Sequence, residues 1–377
     1  MTDLLRQEVT SAADTLVVKV GTRVLTHAGG KLNLERIAAF AEQISALVAG
    51  GRQVVLVSSG AVGAGMSQLG LTKRPTDIAR LQAVAAVGQT NLIESYDKVF
   101  RQHGRHAAQI LLTAEDLDHR TRYLNVRNTI LSLLEFGAVP IINENDTVAV
   151  DELLTTFGDN DRLAALVTNL LRAPLLVILS DVAGLYNGDP SLPDSMLLHT
   201  VTDWQGVEGY VRDRLTGMSK GGMASKLKAA RMVTAAGENM IIASGNEPNV
   251  LARLMAGETI GTLFTAQGKT IPPRKRWIGF SAQPCGRLIL DAGAAQAVRS
   301  NGRSLLAIGI TAVEGRFEKG DIVSIADLAG QEIARGLSNY SADDLVRIRG
   351  LNSTKIAEVL GHQPYEEVVH RNNMTLV

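Results

Sequence analysis

Two lysines lie beside flexible backbone in a way that suits a phosphate group. Lys19 closes the apolar run Leu16-Val17-Val18-Lys19-Val20 and is followed by Gly21-Thr22, while Lys226 follows Lys220-Gly221-Gly222-Met223-Ala224-Ser225. A lysine ending an apolar strand must meet an anion or reach water, since an unpaired buried ammonium is costly, and pairing with an anion is the favoured reading. Lys226 alone would be an ordinary surface lysine early in a helix, but the glycines before it let a loop fold over a nucleotide. Between the two lies Val57-Ser58-Ser59-Gly60-Ala61-Val62-Gly63-Ala64-Gly65, a strand running into glycines. Such backbone can approach an anion closely and present N–H groups where a helix begins; it can equally serve tight helix packing, and both uses stay open. Two polar clusters complete the set, Asn143-Glu144-Asn145-Asp146 and Gly158-Asp159-Asn160-Asp161. One of Asp159, Asn160 and Asp161 is expected to cap the following helix, leaving the others to bind substrate and orient the lysines. Together the four segments point to phosphoryl transfer onto a small polar acceptor.

Other chemistries fit less well. No G-x-x-x-x-G-K-[ST] occurs, so this is not a P-loop enzyme, and Gly60 to Gly65 carry the dinucleotide fingerprint spacing in reverse. Ser59 lacks the glycine two residues before it that a nucleophile elbow requires, and no histidine partner is marked. The acceptor class follows from what is missing. A kinase acting on an alcohol needs a base for the hydroxyl proton, whereas a carboxylate of pKa about 4 is already ionised at neutral pH. Lysines, glycine N–H groups and Mg²⁺ then suffice to align the reactants and neutralise charge.

The elements that must position these residues read as a parallel α/β layer. Short β-branched runs at 16–20, 54–57, 107–112, 139–142, 175–179 and 240–243 alternate with helical spacing over 34–49, 76–103, 120–136, 161–171 and 224–236. Runs apolar on both faces and separated by helices predict a mainly parallel sheet covered on each side. Ligands of such sheets sit beyond the carboxyl ends of the strands, where Lys19, Ser59, Asn143 and Asp181 fall. The pattern changes after Phe264. A basic, proline-containing stretch, Gln267 to Trp277, reads as a boundary, and beyond it short strands at 287–290, 308–313 and 322–325 with a helix at 342–347 predict a small, mainly β domain. The expected division is 1–265, a linker at 266–283, and 284–377.

The bulk numbers agree with two domains. The chain has 377 residues, 45% of them hydrophobic and 20% charged, and Lys+Arg and Asp+Glu both total 38. A zero net charge gives no global attraction to polyanions or to membrane surfaces. The lone Cys285 can form no internal disulfide, which fits a reducing cytosol and a small packing residue. The N-terminal segment lacks an apolar core and is not read as a signal peptide; no stretch approaches the roughly 20 apolar residues that span a bilayer. A cytoplasmic location without membrane association is expected.

With these residues in place, the chain resembles the amino acid kinase family, and within it the branch whose acceptor is free glutamate. The likeness rests on Val18-Lys19-Val20-Gly21-Thr22, Val57-Ser58-Ser59-Gly60-Ala61, Ile141-Ile142-Asn143-Glu144-Asn145-Asp146, Gly158-Asp159-Asn160-Asp161, Leu179 to Tyr186 and Gly221-Gly222-Met223-Ala224-Ser225-Lys226. It implies a three-layer sandwich and ATP- and Mg²⁺-dependent phosphorylation of the L-glutamate side-chain carboxylate, the first step of proline biosynthesis. It further implies that Lys19 and Lys226 balance charge on the moving phosphates, that Asp161 holds both lysines, and that Gly21 and Gly60 supply backbone donors. Ser59, Asp146, Asp159 and Asn160 would hold glutamate; Ser180, Asp181, Lys220, Gly221, Gly222 and Met223 would join the two lysines around ATP. The stretch between Asp146 and Gly158 is about two residues longer than the family pattern. The likeness also implies proline as feedback inhibitor, a glutamyl-phosphate reductase downstream, and a homodimer or homotetramer. A kinase for acetylglutamate, aspartate or carbamate stays open beside it.

The segment from Pro284 resembles a PUA domain, a module often seen in RNA-modifying enzymes. Arg274, Lys275, Arg276, Arg287, Arg299 and Arg303 could form a basic surface for RNA. With zero net charge and no interleaved aromatics, an accessory role in assembly or regulation is favoured over RNA binding or an RNA-binding regulator with a vestigial kinase half.

Overall fold

The computed structural model describes residues 3–27, 31–148, 160–204, 207, 222–267, 272–361 and 365–376. The chain forms two units, one of Met1–Leu117 with Thr121–Thr270 and one of Asp118–Arg120 with Ile271–Val377.

The first unit is built on strands β1 (Thr15–Val20), β2 (Gln53–Ser58), β3 (Ala107–Leu112), β4 (Val139–Glu144), β5 (Leu175–Ser180), β6 (Thr200–Val201), β7 (Asn239–Ser244) and β8 (Thr262–Phe264). They form one sheet in the order β3-β4-β2-β1-β5-β7-β8-β6, and every neighbouring pair is parallel except β7 with β8. Central β1 is buried from Leu16 through Val20, as a strand covered on both faces must be. Parallel register lines up the carboxyl ends: Lys19 stands opposite Val57 and Ile178, Val20 opposite Ser58, and Ser180 opposite Ser244. The expected mainly parallel sheet is thus present. The very short β6 and β8 give no sequence signal of their own.

The helices are α1 (Leu4–Ser11), α2 (Thr22–Leu25), α3 (Leu34–Ala49), α4 (Ala61–Gln68), α5 (Ile78–Gln102), α6 (Ala114–Asp118), α7 (Arg120–Glu135), α8 (Asn160–Leu171), α9 (Met223–Ala235) and α10 (Val250–Met255). Asn33 and Asp77 cap α3 and α5, accepting from the N–H groups of Arg36 and Arg80, which is why those helices start where they do. The N-terminal stretch is helical despite its mixed composition. Buried Arg6 anchors it, donating to the carbonyls of Ile260 at 2.6 Å, Gly261 at 3.0 Å and His199. Helix α4 crosses α5 at two glycines: a Cβ on Gly65 would fall 1.8 Å from Val84 O, and one on Gly88 would fall 1.8 Å from Ala61 O. The backbones touch there, so Gly65 serves packing.

The second unit carries a five-stranded sheet in the order β10-β9-β11-β12-β13, from β9 (Gly286–Leu290), β10 (Ile310–Gly315), β11 (Ile322–Ala326), β12 (Glu332–Leu337) and β13 (Met374–Leu376). Its pairs are antiparallel except β9 with β11. Helices α11 (Ala292–Asn301) and α12 (Ala342–Ile348) accompany the sheet, and Leu288, Leu290, Val323, Ile325, Leu345 and Ile348 are fully buried in its core. Three expectations change here. The strand expected from Ile308 begins at Ile310, because Ala307–Gly309 form a 3₁₀ turn. Cys285 is exposed rather than packed. Arg276, counted in a basic surface, is fully buried, and Arg299 is paired with Asp327 at 3.3 Å, so the surface is less basic than the sequence suggests.

Candidate active site

A single carboxylate gathers both lysines. Lys19 Nζ lies 2.6 Å from Asp161 Oδ1, and Lys226 Nζ lies 3.1 Å from Asp161 Oδ2. The three come from separate elements: Lys19 from β1, Asp161 from the first turn of α8, Lys226 from the first turn of α9. All are buried, Lys19 at 7%, Lys226 at 6% and Asp161 at 3% exposure. Ser225 adds a hydroxyl donor to Asp161 Oδ2 at 3.1 Å. Burial works to raise the Asp161 carboxyl, but the ammoniums of Lys19 and Lys226 outweigh it and hold the group below the usual carboxylate range. Asp161 is therefore ionised, and the triad carries one net positive charge. Helix α8 is an unusually firm base for it, with eleven of its twelve residues buried.

Beside Asp161, Asn160 starts a chain of side-chain amides. Its Nδ2 donates to Ser59 Oγ at 2.8 Å, to Asn143 Oδ1 at 3.0 Å and to Ser58 O at 3.4 Å; Asn143 Nδ2 in turn donates to Gln89 Oε1 at 2.8 Å. Asn160 Oδ1 is buried without a hydrogen-bond partner. A cavity of about 160 Å³ lies against this chain, lined on its polar side by Gln89, Thr90, Gln109, Glu144, Asp146 and Thr147. Burial pushes the Asp146 carboxyl up to about 6, against the opposing pull of the Arg74 guanidinium. The amide series thus runs from beside the charged triad to Gln89, at whose end the cavity offers a wall suited to an ammonium.

The glycines frame that end. Gly60 has φ +108° and caps α4, a left-handed conformation that a side chain would strain. Gly21 precedes α2, but its N–H donates to Leu179 O at 3.0 Å, so the backbone donor expected for the phosphoryl group is engaged in extending the sheet. What Gly21 offers is space: a methyl there would stand 3.7 Å from the Lys19 ammonium. Ser180, ending β5, donates to Asp181 Oδ1 at 3.0 Å, and Arg23 pairs with Asp181 Oδ2 at 2.9 Å. Burial tends to raise the Asp181 carboxyl, but hydrogen bonds from Arg23 and Ser180 lower it further. Gly222 and Met223 begin α9, one turn before Lys226. Asp159, Lys220, Gly221 and the long stretch at 149–158 lie outside the described residues.

The residues present fit a nucleotide bearing its own metal. Two buried ammoniums beside a side-chain-free strand end suit a polyphosphate. Among the described residues no cluster of three or more His, Cys, Asp or Glu side chains is built to hold an ion, and Asp161 is engaged by both lysines. That donor set suits Mg²⁺ carried on the phosphates. The sequence reading did not single out Gln89, Arg23, Arg74 or Ser225 as site residues. Gln89 and Arg74 carry no local mark, whereas Arg23, next to Gly21-Thr22, and Ser225, next to Lys226, were within sight of the motifs.

Comparison with known proteins identifies the family. Residues 14–244 match the model of the amino acid kinase family, and residues 286–360 match the PUA domain. A glutamate 5-kinase of Rhodopirellula baltica is 50% identical over 99% of this chain and 96% of its own length. One from Methylobacillus flagellatus is 49% identical over 97% of this chain and 98% of its own, and one from Methylococcus capsulatus is 47% identical over 96% of each. Among solved structures, the carbamate kinase of Giardia lamblia bound to AMP-PNP superposes with a TM-score of 0.50 at 20% identity, covering 68% of this chain and all of that one, a likeness of fold. The convergent lysines, the parallel sheet that delivers them and the full-length likeness lead to one assignment: the chain belongs to the amino acid kinase family, in its glutamate 5-kinase branch, with a PUA domain at its C-terminal end.

Proposed function

We propose that the chain transfers the γ-phosphoryl group of ATP to the side-chain carboxylate of L-glutamate, giving L-glutamyl 5-phosphate and ADP. The observation that carries this is the pair of buried ammoniums held on the two oxygens of Asp161. ATP brings the phosphoryl group, and Mg²⁺ neutralises part of the charge on its phosphates. Lys19 and Lys226 balance the remainder as it shifts from the acceptor side to the leaving group. Asp161 sets their spacing, which matters because lysine side chains otherwise sample many rotamers. Gly60 turns the strand end so that α4 begins against the phosphate, and Gly21 leaves room beside Lys19. Ser180, Asp181, Lys220, Gly221, Gly222 and Met223 border the nucleotide.

Glutamate lies across the amide chain. The Ser59 hydroxyl, held by Asn160, faces its reacting carboxylate, the unpaired Asn160 Oδ1 is left for a donor, and Asp146 with Asp159 meets the ammonium. No general base is assigned, because the acceptor is already ionised at neutral pH. The test is direct: purified protein with ATP, Mg²⁺ and L-glutamate, the acyl phosphate trapped with hydroxylamine. Hydroxamate from glutamate supports the reading; hydroxamate only from acetylglutamate, aspartate or carbamate replaces the substrate.

The remaining readings are proposals of the same kind. Residues 1–265 form the kinase domain, 266–283 the linker and 284–377 the PUA domain, with an accessory role. Proline acts as inhibitor, a glutamyl-phosphate reductase consumes the product, and the assembly is a homodimer or homotetramer. No helix among the described residues is long and apolar enough to cross a membrane, which is compatible with a cytoplasmic enzyme.

A further inference from the structure

One buried donor beside the cavity is unmatched. Gln89 is 7% exposed, lines the cavity, and its Nε2 has no hydrogen-bond partner. Which end of the amide is unmatched follows from a carbonyl three residues away along the chain of contacts. Ser58 O can only accept, so Asn160 must turn its Nδ2 toward it. The same Nδ2 must then meet the oxygen of Asn143. Asn143 is left to present its Nδ2 to Gln89, whose Oε1 accepts. Every amide in the series is fixed by the one before it, and Gln89 ends with its N–H groups unmet. A buried donor without an acceptor is unfavourable, and a ligand oxygen relieves it.

The rest of the cavity says which oxygen. Glu144 and Asp146 line the same space, and an acidic wall repels an anion unless the molecule also carries a cation. An ammonium for Asp146 and a carboxylate oxygen for Gln89 occur together on one α-amino acid. We infer that Gln89 Nε2 reads the α-carboxylate of the acceptor and so determines specificity, separating glutamate from acids that share only its reacting end. Asn143 holds Gln89 in the required orientation and is a positioning residue. Because the amides are continuous from Ser59 to Gln89, the two ends of the acceptor are registered by one rigid series. This inference rests on the proposed glutamate kinase activity.

The experiment compares L-glutamate, 4-aminobutyrate, which lacks the α-carboxylate, and glutarate, which lacks the ammonium. Each is measured as substrate by hydroxamate formation, or as competitive inhibitor where turnover is slow. In Gln89→Leu, kcat/KM for glutamate is expected to fall about 10- to 100-fold, the value of a hydrogen bond to a charged group. The constant for 4-aminobutyrate stays within about 3-fold, so the preference for glutamate over it collapses, while glutarate falls with glutamate. An equal loss for all three compounds, or an unchanged preference, overturns the assignment. Gln89→Glu provides the second variant, since it retains an acceptor for Asn143 and removes the donor. It is expected to favour the α-amide of glutamate over glutamate itself, and retention of the wild-type order overturns the assignment independently. Wild-type protein giving no hydroxamate from glutamate would instead remove the underlying activity, a result distinct from any Gln89 outcome.

Discussion

Asp161→Asn tests the central triad most severely. The substitution keeps the shape of the side chain and removes the charge that both Lys19 and Lys226 share. Each ammonium is more than nine-tenths buried, so neither can simply turn to water. Breaking a buried ion pair by removing one partner costs about 3–5 kcal/mol, chiefly because the orphaned charge stays desolvated. At roughly 2–4 °C per kcal/mol for a domain of this size, the melting temperature should drop by about 6–20 °C. The loss should be partly reversible by ligand, since ATP phosphates can stand in for the missing carboxylate, and ATP should stabilise the variant more than the wild type. Adding Lys19→Met to Asp161→Asn should cost less than the sum of the two single changes, because one orphaned charge disappears. Turnover should fall about 100-fold through lost positioning. Calorimetry with and without ATP, together with the hydroxamate assay, reads all of these. A variant that melts with the wild type, gains nothing extra from ATP and turns over normally would show that the shared carboxylate neither holds nor positions the lysines.

Other outcomes follow from the same geometry. Lys226→Ala should lower kcat by about 100- to 1,000-fold while KM for glutamate changes little, because its contact strengthens only as charge reaches the leaving group; steady-state kinetics decide, and wild-type turnover would remove Lys226 from the mechanism. Asp146 has its carboxyl raised to about 6 from 3.8, so its contribution to stability is present below pH 3.8 and is lost as pH rises through about 6. Glutamate affinity should move the other way, tightening as pH rises through that window and the carboxylate forms, and Asp146→Asn should flatten the profile of KM against pH. Asp161, held low, contributes stability present above its unfolded value of 3.8 and lost as pH falls through its folded one, so melting temperature should fall below that pH in the wild type and fall less in Asp161→Asn. Gly88→Ala, whose new Cβ would meet Ala61 O at 1.8 Å, should destabilise by about 1–3 kcal/mol through overpacking, read as a lower melting temperature.

Much of this site was legible because burial on both faces writes itself into a parallel strand. The runs at 16–20, 175–179 and 240–243 coincide with β1, β5 and β7, and Lys19 was conspicuous as the one charge in such a run. The glycines after Ser59 could not be resolved from sequence, and the structure divides them: Gly60 adopts a left-handed turn while Gly65 lets α4 touch α5. The meeting of Lys19 with Lys226 depends on α8 and α9 being brought beside β1 from more than 140 residues away along the chain, which no local pattern encodes. Gln89 was invisible for a similar reason, since a glutamine inside a long helix is ordinary until Asn143 and Asn160 are seen beside it. Helix α1 escaped notice because a buried arginine and a single core valine, Val9, secure it without a continuous apolar stripe.

Helix α8 has a wider consequence. Its first two residues supply both the acceptor-side amide and the anionic hub, while all of the remainder except Arg162 is buried. The anionic hub therefore has no soft margin of its own: loosening that segment means opening the domain interior. Mild denaturant should leave the Asp161 hub in place until global unfolding begins and then release Lys19 and Lys226 over the same narrow range.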